Sequence, residues 1–403
     1  MRLSMKERRV LTKALCAQYR KAGKKEKGAL LDRFVEATGY NRVYGARLLR
    51  NHGREVWVAP GAKLRGDARR KTGPRPRKVI YGPDVVVALK KIWALLDYIA
   101  AKRLAAALPE IVPRLIELKE LRVRKEVREK LMTVSAATID RLLKSERAKH
   151  QLKSRSRTKP GTLLKHHIPI RTFSDWEDAR PGFFEMDLVG HDGGSAKGDY
   201  CFTLDITDVS SGWSEQAATL NKAQTHVFAA LERIRQRLPF PILGLDSDNG
   251  SEFINNQLRR FCEQEHITFT RSRPYRKNDT CYVEQKNWSV VRRFAGYDRF
   301  DSERACALLN DLYALLRDYT NFFLPSMKLV EKIRDGAKVT RRYDIPKTPY
   351  RRLLESNQLD AAAKRRLTLR YNKLNPAALQ RRIRSLQKTL TALSAKSRAK
   401  GAA

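Results

Sequence analysis

At 403 residues and 42% hydrophobic, the chain is long and apolar enough to fold as two or three domains, each with its own core. Its 83 Lys and Arg against 43 Asp and Glu leave a formal charge of +40, which calls for a polyanionic partner, and nucleic acid is the usual one. Five cysteines without a CxxC pair indicate neither a disulfide framework nor a thiolate zinc site, and there is neither an apolar run of about 18 residues nor a signal-peptide core, so a reducing, cytoplasmic setting with access to DNA is expected.

Residues 1–160 hold 42 Lys and Arg against 15 Asp and Glu, whereas residues 161–300 hold 18 against 19, a pattern that implies chemistry in the middle and grip at the flanks. Residues 1–58 read as a helix-turn-helix DNA-binding domain. Leu30, Leu31, Phe34 and Val35 give one helix an apolar stripe, Gly39 offers the turn, and Asn41 caps a second helix through Leu49. Arg42 and Arg47 on that second helix are candidate DNA contacts; an ordinary helical hairpin with solvated cations is the alternative. Residues 59–83, rich in Pro, Gly, Arg and Lys, read as a basic linker. Residues 84–150 turn helical again, with Val85 to Ala100 apolar at helix spacing and Ser135 a cap for a short helix, and read as a second helical DNA-binding domain or a purely structural one. Residues 151–171 form another basic linker, in which Arg155 and Arg157 are candidate phosphate contacts.

From about Thr172 the alternation changes to strands: Phe183 to Val189, Tyr200 to Asp205 and Gly212 to Leu220. A helix (Lys222 to Leu238), a strand (Ile242 to Leu245), a helix (Glu252 to His266), a strand (Thr268 to Arg271) and helices over Cys281 to Phe294 and Ser302 to Asn321 follow. This is the element order of a ribonuclease H-like α/β core with a mixed five-stranded sheet, expected over 172–335. Residues 336–403 form a basic C-terminal region whose helix carries Leu379, Ile383, Leu386 and Leu390 on one side. That stripe suits a docked tail or a partner helix.

Three acids stand out. Asp187 lies within the first strand, Asp248 precedes Asn249-Gly250 at the end of a short strand, and Glu284 falls on a helix 36 positions later. Three carboxylates on three elements can hold two hard divalent cations, the apparatus for attacking a phosphodiester. Taken singly, each has an ordinary reading: a strand-end acid, an Asx turn, a solvated helix position. Asp246 competes with Asp248, being on the same face of the strand. Around Glu284 the 3.6 period places Trp288 and Val291 near the same side, with Trp288 expected in the core, and Gln285 and Arg292 about a quarter turn aside as candidate DNA contacts. Before this helix, Arg273, Arg276 and Lys277 interleave with Tyr275, a mixture suited to phosphate contact and to stacking on an unpaired base. His191 and Asp192, just after the first strand, read as turn residues, with a metal role as the alternative, and Trp213 reads as packing.

At these motifs the sequence resembles the catalytic domain of the retroviral integrase and bacterial insertion-sequence transposase superfamily, whose acids are spaced Asp, Asp, thirty-five residues, Glu. Asp187, Asp248 and Glu284 match that spacing, and Asp248-Asn249-Gly250-Ser251-Glu252-Phe253 resembles the Asp-Asn-Gly-x-x-Phe signature. Gly212-Trp213 and Arg271 to Asn278 are similar to a subgroup of insertion-sequence transposases with helical N-terminal domains. The resemblance covers about residues 172–350. It implies a DDE transposase of a bacterial, nucleoid-associated setting that binds the terminal inverted repeats of its element as double-stranded DNA. Such an enzyme cleaves there with two Mg²⁺ ions, Mn²⁺ being possible, and transfers the 3′ ends to target DNA within a homo-oligomeric synaptic complex. The retroviral zinc module is not matched, since His52 and Cys16 stand alone, so no zinc is expected, and no separate barrel announces itself after residue 340. Two other functions compete: a catalytically inactive DNA-binding regulator, and a ribonuclease H-like nuclease that cuts without joining.

Overall fold

The computed structural model describes residues 3–59, 62–65, 80–149, 180–195, 197–247, 256–271 and 281–401. Two compact units emerge, Met1–Ile80 and Tyr81–Ala403.

The first unit holds three helices, α1 (Met5–Lys21), α2 (Lys24–Thr38) and α3 (Arg42–Asn51), then a hairpin of β1 (Glu55–Ala59) and β2 (Ala62–Arg65). Sequence punctuation accounts for the helix boundaries. Ser4 and Glu7 form a reciprocal capping box on α1, Gly39 closes α2 in the left-handed region at φ 65°, and the Asn41 side chain accepts the Val43 N–H at the head of α3. Phe34 and Leu49 are fully buried, with Cys16, Tyr19 and Leu31 around them. Gly45 lets α3 lie close to α2, because a Cβ there would meet Leu31, Phe34 and Val35 at 3.4 Å each. The hairpin stands partly where a linker is expected from residue 59. Val56-Trp57-Val58 is a strand signal that the Pro, Gly and Arg around it outweigh in a composition reading.

The second unit opens with α4 (Pro83–Leu95), α5 (Ala101–Glu117), α6 (Lys125–Thr133), α7 (Ala136–Leu142) and α8 (Lys144–Lys149), with Ser135 capping α7 as its sequence suggests. Next come β3 (Phe183–Gly190), β4 (Phe202–Asp208) and β5 (Ser214–Thr219), an antiparallel meander, then α9 (Gln224–Arg237), β6 (Gly244–Ser247), α10 (Asn256–Gln264) and β7 (Thr268–Arg271). β6 pairs parallel with β3 and β7 parallel with β6, giving the order β5-β4-β3-β6-β7, the mixed five-stranded sheet of a ribonuclease H-like core. A helix runs through α11 (Cys281–Lys286), a π-helical stretch (Asn287–Arg292) and α12 (Arg293–Ala295), and α13 (Glu303–Phe323) packs on β5. The chain ends with a hairpin of β8 (Leu329–Asp335) and β9 (Lys338–Tyr343), then α14 (Pro349–Glu355), α15 (Ala361–Lys373) and α16 (Pro376–Gly401).

Residues 84–150 do not form a domain of their own. Leu89, Ile92, Leu104 and Leu108 belong to the same buried cluster as Phe184, Leu204 and Leu316, and the Tyr319 hydroxyl of α13 donates to the Leu95 carbonyl at 2.6 Å. The C-terminal residues share that core too: Leu379, Ile383 and Leu390 of α16 are buried on α13, and Arg114 of α5 donates to the Leu374 carbonyl at 3.0 Å. A charge count reports on the surface, whereas the apolar faces of these helices and of the sheet share one core. Among the described residues no helix is long and apolar enough to cross a membrane.

Candidate active site

Asp187 sits on β3, the central strand, half-buried, with its side chain tied on both oxygens. Oδ1 accepts the Leu188 N–H at 2.7 Å and Oδ2 accepts the Asn287 amide at 2.6 Å. Asn287 is three residues past Glu284, so the helix bearing Glu284 is fastened to the carboxylate that the sequence singles out. A second fastening lies two residues earlier on the same face of β3. The Glu185 carboxyl, 1% exposed, accepts the backbone N–H groups of Tyr282 at 2.7 Å and Val283 at 2.9 Å, capping the head of α11. Glu284 therefore follows directly on two residues held by Glu185 and precedes by three the residue held to Asp187, and its own side chain is exposed.

The neighbouring strands add carboxylates. Asp205 of β4 stands directly opposite Asp187, and Asp246 of β6 directly opposite Glu185. Asp205 is fully buried and accepts from the Gln216 amide at 3.0 Å. Asp246 is 5% exposed and accepts from the Thr270 hydroxyl at 2.6 Å. Burial pushes Glu185 up to about 8, and the acids Asp246 and Glu284 add to the effect against the two N–H groups that oppose it. Burial likewise pushes Asp205 up to about 7, opposed by Gln216 and Lys286 and assisted by Asp187. Lys286, two residues after Glu284, is drawn down to about 8 by its desolvation.

Three oxygens in this group have no hydrogen-bond partner: Glu185 Oε1, Asp205 Oδ2 and Asn287 Oδ1. Buried oxygens without partners beside several carboxylates are relieved by a proton or by a cation, and an all-oxygen donor set suits hard divalent ions rather than zinc. The residues present thus fit a divalent metal. Asp248 follows Ser247, the last residue of β6, and lies outside the described residues; among those that are described, no three His, Cys, Asp or Glu side chains form a metal-holding group.

The other candidates divide. Arg273, Tyr275, Arg276, Lys277, Arg155 and Arg157 lie outside the described residues. Gln285 is exposed beside Glu284. Arg292 is half-buried and turned inward, donating to the Gly190 carbonyl at 2.9 Å with its guanidinium 5.0 Å from the Tyr297 ring centroid. In the first unit Arg47 is exposed, and Arg42 is paired with Asp32. Trp288, expected in the core, is 54% exposed while Val290 and Val291 are buried. Trp288 keeps the exposed side of Glu284, one α-helical turn earlier, and it is Val291 that leaves that side, because the π-helical stretch from Asn287 has a wider turn than a 3.6 period assumes. His191 is a core histidine: its Nε2 lies 2.8 Å from the Thr203 hydroxyl and burial drives its pKa down to about 3. Trp213 packs edge-on against Phe322 and Asp192 holds a turn through the Gly194 N–H, both as read. Sequence reading missed Glu185, Asp205 and Asn287, although Glu185 and Asn287 stand two and three residues from the marked acids.

Residues 177–277 match the integrase core domain family. The chain is 39% identical over 351 residues to y4rM of Sinorhizobium fredii, an uncharacterised protein, covering 87% of this chain and 96% of that one. Among solved structures, similarity extends to the BIV integrase catalytic core domain at 20% identity, covering 43% of this chain and 95% of that one with a TM-score of 0.28. It extends also to the HTLV-2 integrase catalytic core domain in complex with magnesium at 16%, covering 36% and 87% with a TM-score of 0.27.

Proposed function

From the premise that this chain belongs to the integrase core family together with y4rM, we propose that it is a DNA transposase using Asp187, Asp248 and Glu284 as metal-holding catalytic acids. The observation that carries the reading is the double fastening of the Glu284 helix to β3, at Glu185 and at Asp187, beside orphaned oxygens. Asp187, Asp248 and Glu284 would hold a pair of Mg²⁺ or Mn²⁺ ions, which supply Lewis-acid polarisation of a phosphoryl oxygen and a water nucleophile at neutral pH. Of Asp246 and Asp248, Asp246 suits the role less, being buried and engaged with Thr270.

The chain's own contribution is positional. Glu185 fixes the head of the Glu284 helix, Asn287 orients the Asp187 carboxylate, and Lys286 offsets the buried Asp205 charge. Water attack frees a 3′-hydroxyl at the element end, and that hydroxyl, set in the same place, then attacks target DNA, so that cleavage and joining share one centre. Net charge of +40 supports duplex DNA as the partner, with terminal-repeat recognition by the helical first unit around Arg42 and Arg47, and grip from the basic segments that include Arg155, Arg157, Arg273, Tyr275, Arg276 and Lys277. Joining two ends requires a homo-oligomer.

Labelled element ends, a plasmid target and Mg²⁺ test this. Joined products are expected; cut ends alone indicate a nuclease, and binding without cutting a regulator. Asp248→Asn and Glu284→Gln should abolish cleavage while leaving end binding nearly intact.

A further inference from the structure

Among the described residues, none covers either face of the β8–β9 hairpin. Each described side chain from Leu329 to Tyr343 is exposed, including Leu329 (45%), Val330 (66%), Ile333 (52%) and Tyr343 (48%). A two-stranded ribbon with both faces in water is marginal by itself, so this one is expected to function against a surface.

Register sorts its residues. Glu331, Ile333 and Asp335 stand opposite Arg342, Thr340 and Lys338 on one face. The other face presents Arg334, Val339, Arg341, Tyr343 and Leu329, and no acid. Its two cations and its ring suit phosphate oxygens and sugar, where most protein–DNA hydrogen bonds fall. The base of the ribbon is pinned by hydrogen bonds and an ion pair. Lys328 and Asp344 pair through main chain and side chain at 3.0 and 2.7 Å, and Asp344 binds Arg352 at 2.6 Å. The Lys328 amine donates to the carbonyls of Val209 and Ser210 and lies 5.7 Å from the ring centroid of Tyr282, whose N–H is held by Glu185 at the head of the Glu284 helix. The ribbon therefore springs from beside the candidate active site.

We propose that the acid-free face of the β8–β9 ribbon binds the phosphate backbone of target duplex DNA without reading sequence, an inference that rests on the DNA-joining reading of the neighbouring site. A two-stranded ribbon matches the width of a DNA groove, and charge complementarity selects a polyanion over a second copy of this basic chain.

The test uses the full chain and fluorescence anisotropy with a random-sequence duplex and with a duplex carrying the element end. Arg334→Glu with Arg341→Glu should weaken random-duplex binding at least about tenfold and reduce the slope of log K against log salt by about two. Lys338→Glu with Arg342→Glu, matched in charge but on the opposite face, should cost less than about threefold. Equal losses in both pairs, no loss in the first, or loss confined to the element end would each overturn the proposal. So would a change of oligomeric state by light scattering with duplex binding intact. Circular dichroism checks folding, and should the first pair unfold, Arg334→Gln with Arg341→Gln must still give a loss of about threefold or more. Wild-type protein that binds duplex through the ribbon yet yields no joined product sinks the transposase reading and leaves this inference standing; wild-type protein that does not bind random duplex sinks the inference.

Discussion

Glu185 gives the account its most discriminating prediction. Replacing it with Ala removes the acceptor of two N–H groups, those of Tyr282 and the fully buried Val283, and empties a site 1% exposed. With its carboxyl pushed up to about 8, Glu185 is chiefly protonated at pH 7 in the metal-free protein, so the two bonds are those of a neutral acceptor. Two such bonds are worth about 1 to 3 kcal/mol, and the small void adds about 1 kcal/mol. At an unfolding entropy near 2 cal/mol/K per residue, a loss of roughly 2 to 4 kcal/mol in a unit of this size lowers the melting temperature by about 3 to 6 °C. Activity should suffer more. A 1 Å misplacement of a catalytic group costs on the order of 100-fold, and Glu185 anchors the residue immediately before Glu284. Glu185→Gln, the shape of the protonated acid, should keep the cap and stay within about threefold of wild type. Scanning calorimetry and strand-transfer rates read both effects. Unchanged melting and full activity in Glu185→Ala would refute the anchoring, and equal damage from Gln would refute the neutral cap.

Three other outcomes are expected. Glu185 and Asp205 both have raised pKa values, so their contribution to metal-free stability is complete below their ordinary values of 4.5 and 3.8 and is lost as pH rises through about 7 to 8; the melting temperature should fall across that window, and Glu185→Gln with Asp205→Asn should flatten the profile. Lys286, drawn down to about 8, acts in the other direction only above that pH. Asn287→Ala, by freeing Asp187 Oδ2, should slow joining about 10- to 100-fold with duplex affinity unchanged by anisotropy; an unaltered rate would remove Asn287 from the site. Trp288→Ala should leave melting within about 1 °C, because the ring is already 54% exposed, and a larger drop in calorimetry would mean that it packs after all.

Some of this architecture was legible in the residues and some was not, for physical reasons. Strand β3 declares itself because it buries Phe184, Met186 and Val189 between Gly182 and Gly190, and β7, Thr268–Arg271, is read to the residue. Asn41 and Ser135 mark helix starts because capping is a local bond between a side chain and the backbone two or three residues on. The β8–β9 ribbon leaves no such imprint: with no core to face, Leu329–Asp335 and Lys338–Tyr343 need no alternation. Trp288 follows the exposed Glu284 at helical spacing, while the burial of Val291 turns on a π-helical stretch that no spacing announces. Glu185 and Asp205 become site neighbours through strand register, a long-range property invisible to a local motif. The shared core of α4, α5 and α16 was hidden for the same reason, since each apolar stripe can be read alone but its partner cannot.

The central claim is that Asp187, Asp248 and Glu284 share a pair of divalent cations. Anomalous scattering from Mn²⁺ in crystals of the protein bound to its element end would test it most directly. Two peaks are predicted, both in contact with Asp187 and reached separately by Asp248 and Glu284, and both lost in Asp187→Asn. Manganese bound elsewhere, or coordinated by Asp246 in place of Asp248, would contradict it.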